Sequence, residues 1–116
     1  MIYLLDTNTC IAYLNQSNQA VYQRLMASSP DETYICDVVK FELYYGAHNS
    51  TRRQENLNTL DQFFSGFISL PFDGAAAATC GQLRADLKTK GTPIGAYDLQ
   101  IAAIALTHRL TLVTHN

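Results

Sequence analysis

The sequence predicts an α/β fold in which a parallel sheet is covered by helices on both faces. Four short runs rich in aliphatic, β-branched or aromatic residues have the composition of strands, and they lie at residues 2–5, 33–36, 67–70 and 110–114. Segments with apolar residues at helical spacing separate these runs. Because strands that alternate with helices are joined by right-handed crossovers, we expect all of the strands to be parallel.

The first strand and the first two helices are predicted from apolar runs and capping residues. The first run is continuously apolar, as is typical of a strand that is buried on both faces. Thr7 and Asn8 can cap a helix over residues 9–15. Asn18 can cap a second helix, which should end before Pro30.

The remaining helices are predicted in the same way. Asp37 and Asp73 each precede a helical segment and can cap it. Gly91 suits the left-handed position that ends many helices. We expect these helices at residues 38–47, about 52–64, 74–90 and 97–109. The last of them is apolar on nearly every side, which predicts that it is buried.

Length and charge limit the classes of function. The chain has 116 residues, enough for one domain with one core. Its net charge is −2 and it has no run of Lys or Arg, so the broad basic surface typical of nucleic-acid-binding proteins is absent. A substrate that contains phosphate would therefore need another source of positive charge, and a metal ion is the obvious one.

Apolar runs and cysteines indicate a cytoplasmic protein. No apolar run approaches the ~20 residues of a membrane span, and residues 1–15 lack the basic start of a signal peptide. The three cysteines are odd in number and have no C-x-x-C spacing, which argues against a disulfide framework and against a zinc site. We expect buried free thiols, a reducing cytoplasm and no membrane contact.

Three acidic residues map to the carboxyl edge of the predicted sheet. Asp6 ends the first strand, Glu42 lies in the helix that leaves the second strand, and Asp98 opens the apolar helix that leads back to the fourth strand. Each also has a plain structural explanation: Asp6 as a helix cap, Glu42 as a rim residue and Asp98 as a first-turn carboxylate favoured by the helix dipole. Their shared edge favours a common role, because an open parallel sheet carries its chemistry there.

A cluster of three carboxylates needs a compensating charge. Each pair would repel by roughly 4 kcal/mol at ~4 Å and an effective dielectric constant of about 20. A cation or protons must neutralise such a cluster, and ligands that are all oxygen select hard ions such as Mg²⁺ or Mn²⁺. Such ions suit phosphodiester hydrolysis, because the metal activates a water and stabilises the charge on the phosphate and the leaving oxygen.

Five ordered motifs carry a resemblance to a known family that covers the whole chain. They are YLLDTN at 3–8, FELxxG at 41–46, LPFD at 70–73, GTPIGxxDLxIAA at 91–103 and TLVTxN at 111–116. With these motifs the chain resembles the PIN-domain ribonucleases and, more narrowly, the VapC toxins of type II toxin–antitoxin modules. A D-T-N sequence alone would be weak support, whereas five motifs at these spacings are strong support.

The resemblance implies a three-layer α/β/α fold with the strand order 3-2-1-4-5, formed by a single PIN domain over residues 1–116. It implies a Mg²⁺- or Mn²⁺-dependent endoribonuclease, a hydrolase that cuts tRNA or rRNA as the toxin of a VapBC module. It also implies two protein partners: a VapB antitoxin that blocks the site with a C-terminal segment, and a second copy of the chain in a homodimer.

The resemblance also assigns roles to individual residues. Asp6, Glu42 and Asp98 correspond to the acidic triad of the family, and Asn116 falls where the family has Asp or Asn. These four residues are therefore the expected catalytic residues and metal ligands. Thr114 falls on a hydroxyl that orients the first Asp of the family. The residues expected to support the site are thus Thr7, Asn8 and Thr114.

The chain departs from the family pattern at its C-terminal end. Asn116 is a neutral amide, so we expect a second metal ion to bind weakly. The chain also stops there, where members of the family continue through a short fifth strand. We therefore expect a sheet with the order 3-2-1-4 and no fifth strand, in a domain truncated at its C-terminus, either naturally or as a fragment.

Two other classes of protein were weighed against a nuclease. A non-catalytic binding module could keep the PIN fold, but such a module has no need of all three acidic residues, and all three are present. A receiver domain that accepts a phosphoryl group is another parallel α/β fold with acids at its strand ends. It would carry paired acids after the first strand and a Lys after the last one, and this chain has neither.

Overall fold

The computed structural model describes residues 3–16, 19–27 and 30–114. The predicted cap at Asn18 lies outside them. In the described residues the elements are β1 (Tyr3–Leu5), α1 (Thr7–Leu14), α2 (Gln19–Ala27), a 3-10 turn (Pro30–Glu32), β2 (Thr33–Cys36), α3 (Asp37–His48), α4 (Arg53–Phe64), β3 (Ile68–Leu70), α5 (Gly74–Thr89), α6 (Ala96–Thr107) and β4 (Thr111–Val113). Helices separate every pair of successive strands, as the sequence predicts.

The strands of the described chain form one parallel sheet with the order β3-β2-β1-β4. Tyr3 of β1 pairs with Thr33 of β2 on one side and with Thr111 of β4 on the other. Helices cover both faces, so the fold has the predicted three layers and the predicted strand order 3-2-1-4 is confirmed. Because every strand points the same way, the carboxyl ends of all the strands lie at one edge of the sheet. Asp6, which directly follows β1, lies at this edge.

The central strands and α6 contribute much of the core. Leu4 and Leu5 of β1 and Ile35 of β2 are completely or almost completely buried, as a strand covered on both faces requires. Ile101 and Ile104 of α6 join the same cluster, which confirms that this helix is buried. Burying a side chain of this size contributes about 1.5–3 kcal/mol. The strand that leads into Asp6 is therefore held firmly in place.

Two predicted helix starts are wrong. The first helix begins at Thr7, not at residue 9, because Asp6 is in the extended conformation and its own carboxylate accepts the capping hydrogen bond. Thr7 and Asn8 therefore lie in the first turn and are not caps. Asp37 is the first residue of α3, not its cap, because its Oδ1 accepts a hydrogen bond from the Ser69 hydroxyl of β3 at 2.6 Å.

Both ends of α5 follow the prediction, whereas α6 ends at Thr107 rather than at about residue 109, because Arg109 is in the left-handed conformation. Asp73 caps α5, since its Oδ1 accepts the Ala76 N–H at 3.0 Å. Gly91 has φ +71° after α5, and the Thr92 N–H closes the helix end by donating to the Leu87 carbonyl at 3.0 Å. This arrangement is a Schellman motif, in which glycine avoids the steric cost of the left-handed conformation.

Helix α6 is the most apolar helix in its composition, yet it is too short to cross a bilayer. It has 12 residues, against the ~20 that a membrane-spanning helix needs. Across the residues that the structure describes, no helix combines the length and the apolar character of a membrane span.

Candidate active site

Asp6 is fixed where β1 passes into α1. Its backbone N–H donates to the Val113 carbonyl of β4 at 3.1 Å, and its Oδ1 accepts the Thr9 N–H at 2.8 Å. The Thr9 hydroxyl also donates to the Val113 carbonyl, at 3.0 Å. These bonds tie the end of β4 to the start of α1. They leave the second carboxylate oxygen of Asp6 free of hydrogen bonds to the described part of the chain.

Thr7 connects Asp6 to the second predicted acid. Its hydroxyl donates to Oε1 of Glu42 at 2.7 Å, a length typical of a strong hydrogen bond to a carboxylate. Glu42 is half-buried in the second turn of α3, the helix that leaves the carboxyl end of β2. The sequence predicts that α1 and α3 both begin at this edge of the sheet. The Thr7–Glu42 hydrogen bond brings the two helices into direct contact there.

Asp98 lies in the first turn of α6 and is exposed. Its Oδ2 would lie 3.7 Å from a Cβ atom built on Gly95, the residue that precedes the helix. The carboxylate therefore turns back over the start of its helix. The positive end of the helix dipole lies there and favours a negative side chain.

An aromatic contact brings the helices of Glu42 and Asp98 together. The ring of Phe41 meets the ring of Tyr97 with centroids 5.2 Å apart and an interplanar angle of 73°, which is an edge-to-face contact. Phe41 directly precedes Glu42, and Tyr97 directly precedes Asp98. The segments that carry the three acids thus meet pairwise, Asp6 with Glu42 through Thr7 and Glu42 with Asp98 through their aromatic neighbours.

Asn8 and Thr114 have no such contact with the residues that the structure describes. Asn8 is exposed in the first turn of α1, and Thr114 is exposed just after β4. Asn116 lies outside the described residues, and its role stays a prediction. Within the described part of the chain, no three His, Cys, Asp or Glu side chains are arranged so that they could hold a metal ion. The segments that carry the three acids meet pairwise, but their carboxylates do not converge on one point.

Thr9 is a site residue that the sequence analysis missed. It is 1% exposed, and it holds Asp6 through its N–H and holds β4 through its hydroxyl. The hydroxyl bond spans 104 positions of sequence, so no local pattern could reveal it. A helix start at Thr7 would have been the one useful signal, because it places Thr9 on the side of the helix that faces the sheet.

The cysteines near the site are unsuited to nucleophilic chemistry. All three cysteines of the chain are free thiols, as predicted; Cys10 and Cys36 are buried, whereas Cys80 is only partly buried and not buried as expected. Burial, with the negative charge of Asp6 adding to it, raises the pKa of Cys10 well above its usual range. Burial likewise raises the pKa of Cys36 to about 11. Neither residue forms the thiolate that a cysteine nucleophile needs at neutral pH.

Comparison with known proteins identifies the family. The family model for the PIN domain matches residues 3–116. Ribonuclease VapC2 of Rickettsia felis is 37% identical over 117 residues, which cover 100% of this chain and 87% of that protein. The chain belongs to the VapC branch of the PIN-domain family. This membership excludes the receiver-domain alternative and confirms the family that the five motifs indicated.

VapC proteins from Salmonella typhimurium give the same result in sequence and in structure. A tRNA(fMet)-specific endonuclease VapC from this organism is 37% identical, over 98% of this chain and 86% of its own length. A crystal structure of DNA-bound VapBC from this organism contains a chain that is 36% identical, with a TM-score of 0.93 over 100% of this chain and 87% of that one. The VapC fold therefore extends over all the described elements.

Proposed function

We propose that the protein is a metal-dependent endoribonuclease, the toxin of a VapBC-type module, and that it hydrolyses RNA phosphodiester bonds. The observation that carries the proposal is the Thr7–Glu42 hydrogen bond, which joins two predicted acid-bearing segments at the carboxyl edge of the sheet. VapC relatives named as ribonucleases, aligned over the whole chain, support the reaction type. A non-catalytic PIN-fold module is disfavoured, because all three acidic residues are present at one edge of the sheet.

The donor set suits Mg²⁺ or Mn²⁺. Asp6, Glu42, Asp98 and Asn116 offer oxygen atoms alone, the ligands that hard divalent ions prefer. Asp6 and Glu42 each use one carboxylate oxygen in an internal hydrogen bond and keep the other. Asp98 is exposed, so its side chain is free to turn toward the other two carboxylates. The ion, when bound, supplies an activated water and stabilises the charge that develops on the phosphate.

The residues of the chain then have distinct tasks. Thr9 and Val113 hold Asp6 in a fixed orientation at the end of β1. Thr7 orients Glu42 through its hydroxyl, and in the family pattern Thr114 adds a second hydroxyl near Asp6. Because these side chains are positioned before substrate arrives, little reorganisation accompanies the reaction, which is the condition for strong electrostatic catalysis.

The substrate class is tRNA, with rRNA as the alternative. The name of the Salmonella relative specifies initiator tRNA, which makes that molecule the first substrate to test. The chain works in the cytoplasm, where its RNA substrates are found and where its three free thiols stay reduced.

The partners are a VapB-like antitoxin and a second copy of the chain. The solved Salmonella relative is a VapBC complex, which supports the first. Asp6, Glu42 and Asp98 form the acidic edge of the sheet. A basic side chain of the antitoxin would bind this acidic edge by charge-assisted hydrogen bonds. Co-expression with the neighbouring gene product should yield a stable complex and relieve growth arrest. Recovery of the chain alone, with unrestricted growth on overexpression, would argue against a toxin.

Incubation of the purified protein with tRNA and rRNA, with Mn²⁺, with Mg²⁺ and with chelator, tests the reaction. We expect cleavage with metal, none with chelator, and losses of about a hundredfold or more in Asp6→Asn, Glu42→Gln and Asp98→Asn. Asp86→Asn is the matched control, since it neutralises an exposed carboxylate of α5. Near wild-type rates in all three site variants would show that these residues do not catalyse the reaction.

A further inference from the structure

The aromatic pair beside the candidate active site is open to solvent. Phe41 is 50% exposed and Tyr97 is 46% exposed, although both rings are large and apolar. Their edge-to-face contact fixes the position of each ring and leaves ring surface uncovered. Tyr45, 65% exposed, lies one helical turn beyond Phe41 on the same side of α3. We call Phe41 and Tyr97 the aromatic platform.

The platform lies near the acidic residues, because each ring adjoins one of them in sequence. Phe41 and Tyr97 each stand immediately before one of the predicted catalytic acids, Glu42 and Asp98. Both rings project from helices, which makes the platform a rigid part of the fold. Because each ring is one residue from a predicted catalytic acid, a group bound on the platform would lie close to the sheet edge that bears Glu42 and Asp98.

The charge of the chain indicates what such a group has to be. The protein carries eight Lys and Arg against ten Asp and Glu, so it has no general excess of positive charge to attract a polyanion. Lys40, the residue directly before Phe41, lies over the ring of Phe64, with its Nζ 5.4 Å from the ring centroid. Apart from the phosphate that the proposed metal ion would hold, binding of RNA to this acidic edge should therefore draw on contacts that do not depend on charge. Stacking of bases on aromatic rings is the main contact of that kind.

We propose that the aromatic platform stacks an unpaired base of the RNA next to the scissile phosphate. The proposal rests on the proposed ribonuclease function. It names the part of the substrate that is recognised: a nucleotide in a loop or at an end, because a base inside a duplex offers no free face. Stacking tolerates any base, so the platform selects unpaired structure and positions the backbone over the acids, while sequence preference arises elsewhere.

The test measures stacking directly. Initiator tRNA transcripts that each carry one 2-aminopurine in a different loop are titrated with protein in the Asp6→Asn background, which is expected to block cleavage. Stacking quenches 2-aminopurine fluorescence, so one position should be quenched on binding. Phe41→Leu and Tyr97→Leu keep apolar bulk but remove the ring. Each should abolish the quenching and weaken binding roughly five- to a hundredfold.

A matched control variant and an abasic RNA distinguish the loss of stacking from a general loss of structure or binding. Leu106→Ala alters a residue that is 57% exposed at the far end of α6 and should leave binding and quenching unchanged. An abasic nucleotide at the quenched position should weaken binding to the parent protein as much as Phe41→Leu does. In Phe41→Leu the same abasic RNA should bind no more weakly than intact RNA, because the stacking contact is already gone.

Several outcomes would overturn the platform. Unquenched RNA, quenching that survives in both Leu variants, or an abasic substitution without effect would each do so. A change of mass in light scattering, or loss of antitoxin capture, with RNA binding intact would show that the rings serve a protein interface. Failure of the nuclease proposal is distinguishable: a chain that cuts no RNA with any metal but still quenches the base keeps the platform and loses the catalysis.

Discussion

Thr7 shows how one hydroxyl can join two parts of a site. It lies next to Asp6 in sequence and donates to Glu42, 35 positions away, at 2.7 Å. A hydrogen bond to a carboxylate is stronger than one between neutral groups, and a half-buried acid depends on it for orientation. Thr7, which the sequence predicts as a supporting residue of the site, thus makes a hydrogen bond suited to that role.

We expect Thr7→Val to lower kcat about five- to thirtyfold, because Glu42 loses a charge-assisted hydrogen bond worth about 1–2 kcal/mol. Thr7→Ser keeps the hydroxyl and should retain most of the activity. Single-turnover cleavage of the RNA substrate, with melting curves as a check on folding, provides the measurement. Equal rates in Thr7→Val and wild type would show that this bond has no part in the reaction.

Two buried threonines are expected to change stability in opposite directions when each is replaced by valine. The Thr33 hydroxyl is buried and has no hydrogen-bond partner among the described residues, whereas the equally buried Thr9 hydroxyl donates to Val113. Thr33→Val removes a polar group that burial penalises and should raise the free energy of unfolding by about 1 kcal/mol.

Thr9→Val is the counterpart of that change. It should lower the free energy of unfolding by about 0.5–1.5 kcal/mol, because a satisfied hydrogen bond is lost. Urea denaturation of both variants gives the comparison. A destabilised Thr33→Val would indicate that the Thr33 hydroxyl has a partner, such as an ordered water, that pays for its burial.

At the level of secondary structure, the strands were predicted well because their signal is local. Each strand is a short apolar run, and the core forces such a run to be buried. Helix starts were predicted less well, because the side chain that caps depends on its partners. Asp37 resembles a cap in sequence but bonds Ser69, which lies 32 positions away on β3. Helix capping, the plain structural explanation that the sequence offered for Asp6, is confirmed, since Asp6 caps α1.

The candidate site shows the same division between local and distant information. The strand order placed the segments of the three acids at one edge, since parallel topology puts all carboxyl ends together. The contacts that join them, through Thr7, Thr9 and Phe41, link residues far apart in sequence. No pattern within a single element predicts such contacts.

Helices α5 and α6 end in the same motif with different residues at the left-handed position. Gly91 follows α5 with φ +71°, and Arg109 follows α6 with φ +57°. The Leu110 N–H donates to the Ala105 carbonyl at 2.8 Å and closes the second motif as the Thr92 N–H closes the first. A residue with a Cβ atom is strained there by about 1 kcal/mol.

Arg109→Gly should therefore raise the free energy of unfolding by up to about 1 kcal/mol, and Gly91→Ala should lower it by a similar amount. The same pair of helix ends thus supplies both the variant and its control. Thermal melting distinguishes them through midpoints that move in opposite directions. If both variants lowered the midpoint, the Arg109 side chain would contribute more to stability than its backbone strain takes away.

For the whole molecule, the proposed metal site is also a connection between elements. Asp6 follows β1, Glu42 belongs to α3 and Asp98 belongs to α6, so three separate parts of the chain share one edge. An ion held by all three would stabilise the folded chain as a whole, because the unfolded chain does not bring these carboxylates together. Binding of metal can thus be followed through stability without any RNA present.

We expect Mn²⁺ at about a hundred times its dissociation constant to add about 2.7 kcal/mol to the free energy of unfolding. For a chain of this size that gain raises Tm by about 10 °C. Asp98→Asn should lose most of the increase, because it removes a charged ligand, and Asp86→Asn should keep all of it, because its exposed carboxylate on α5 is not one of the predicted ligands. Melting curves with Mn²⁺ and with chelator measure both effects. An equal increase in Asp98→Asn would mean that the ion binds the chain without Asp98, and the acidic edge would then not be its site.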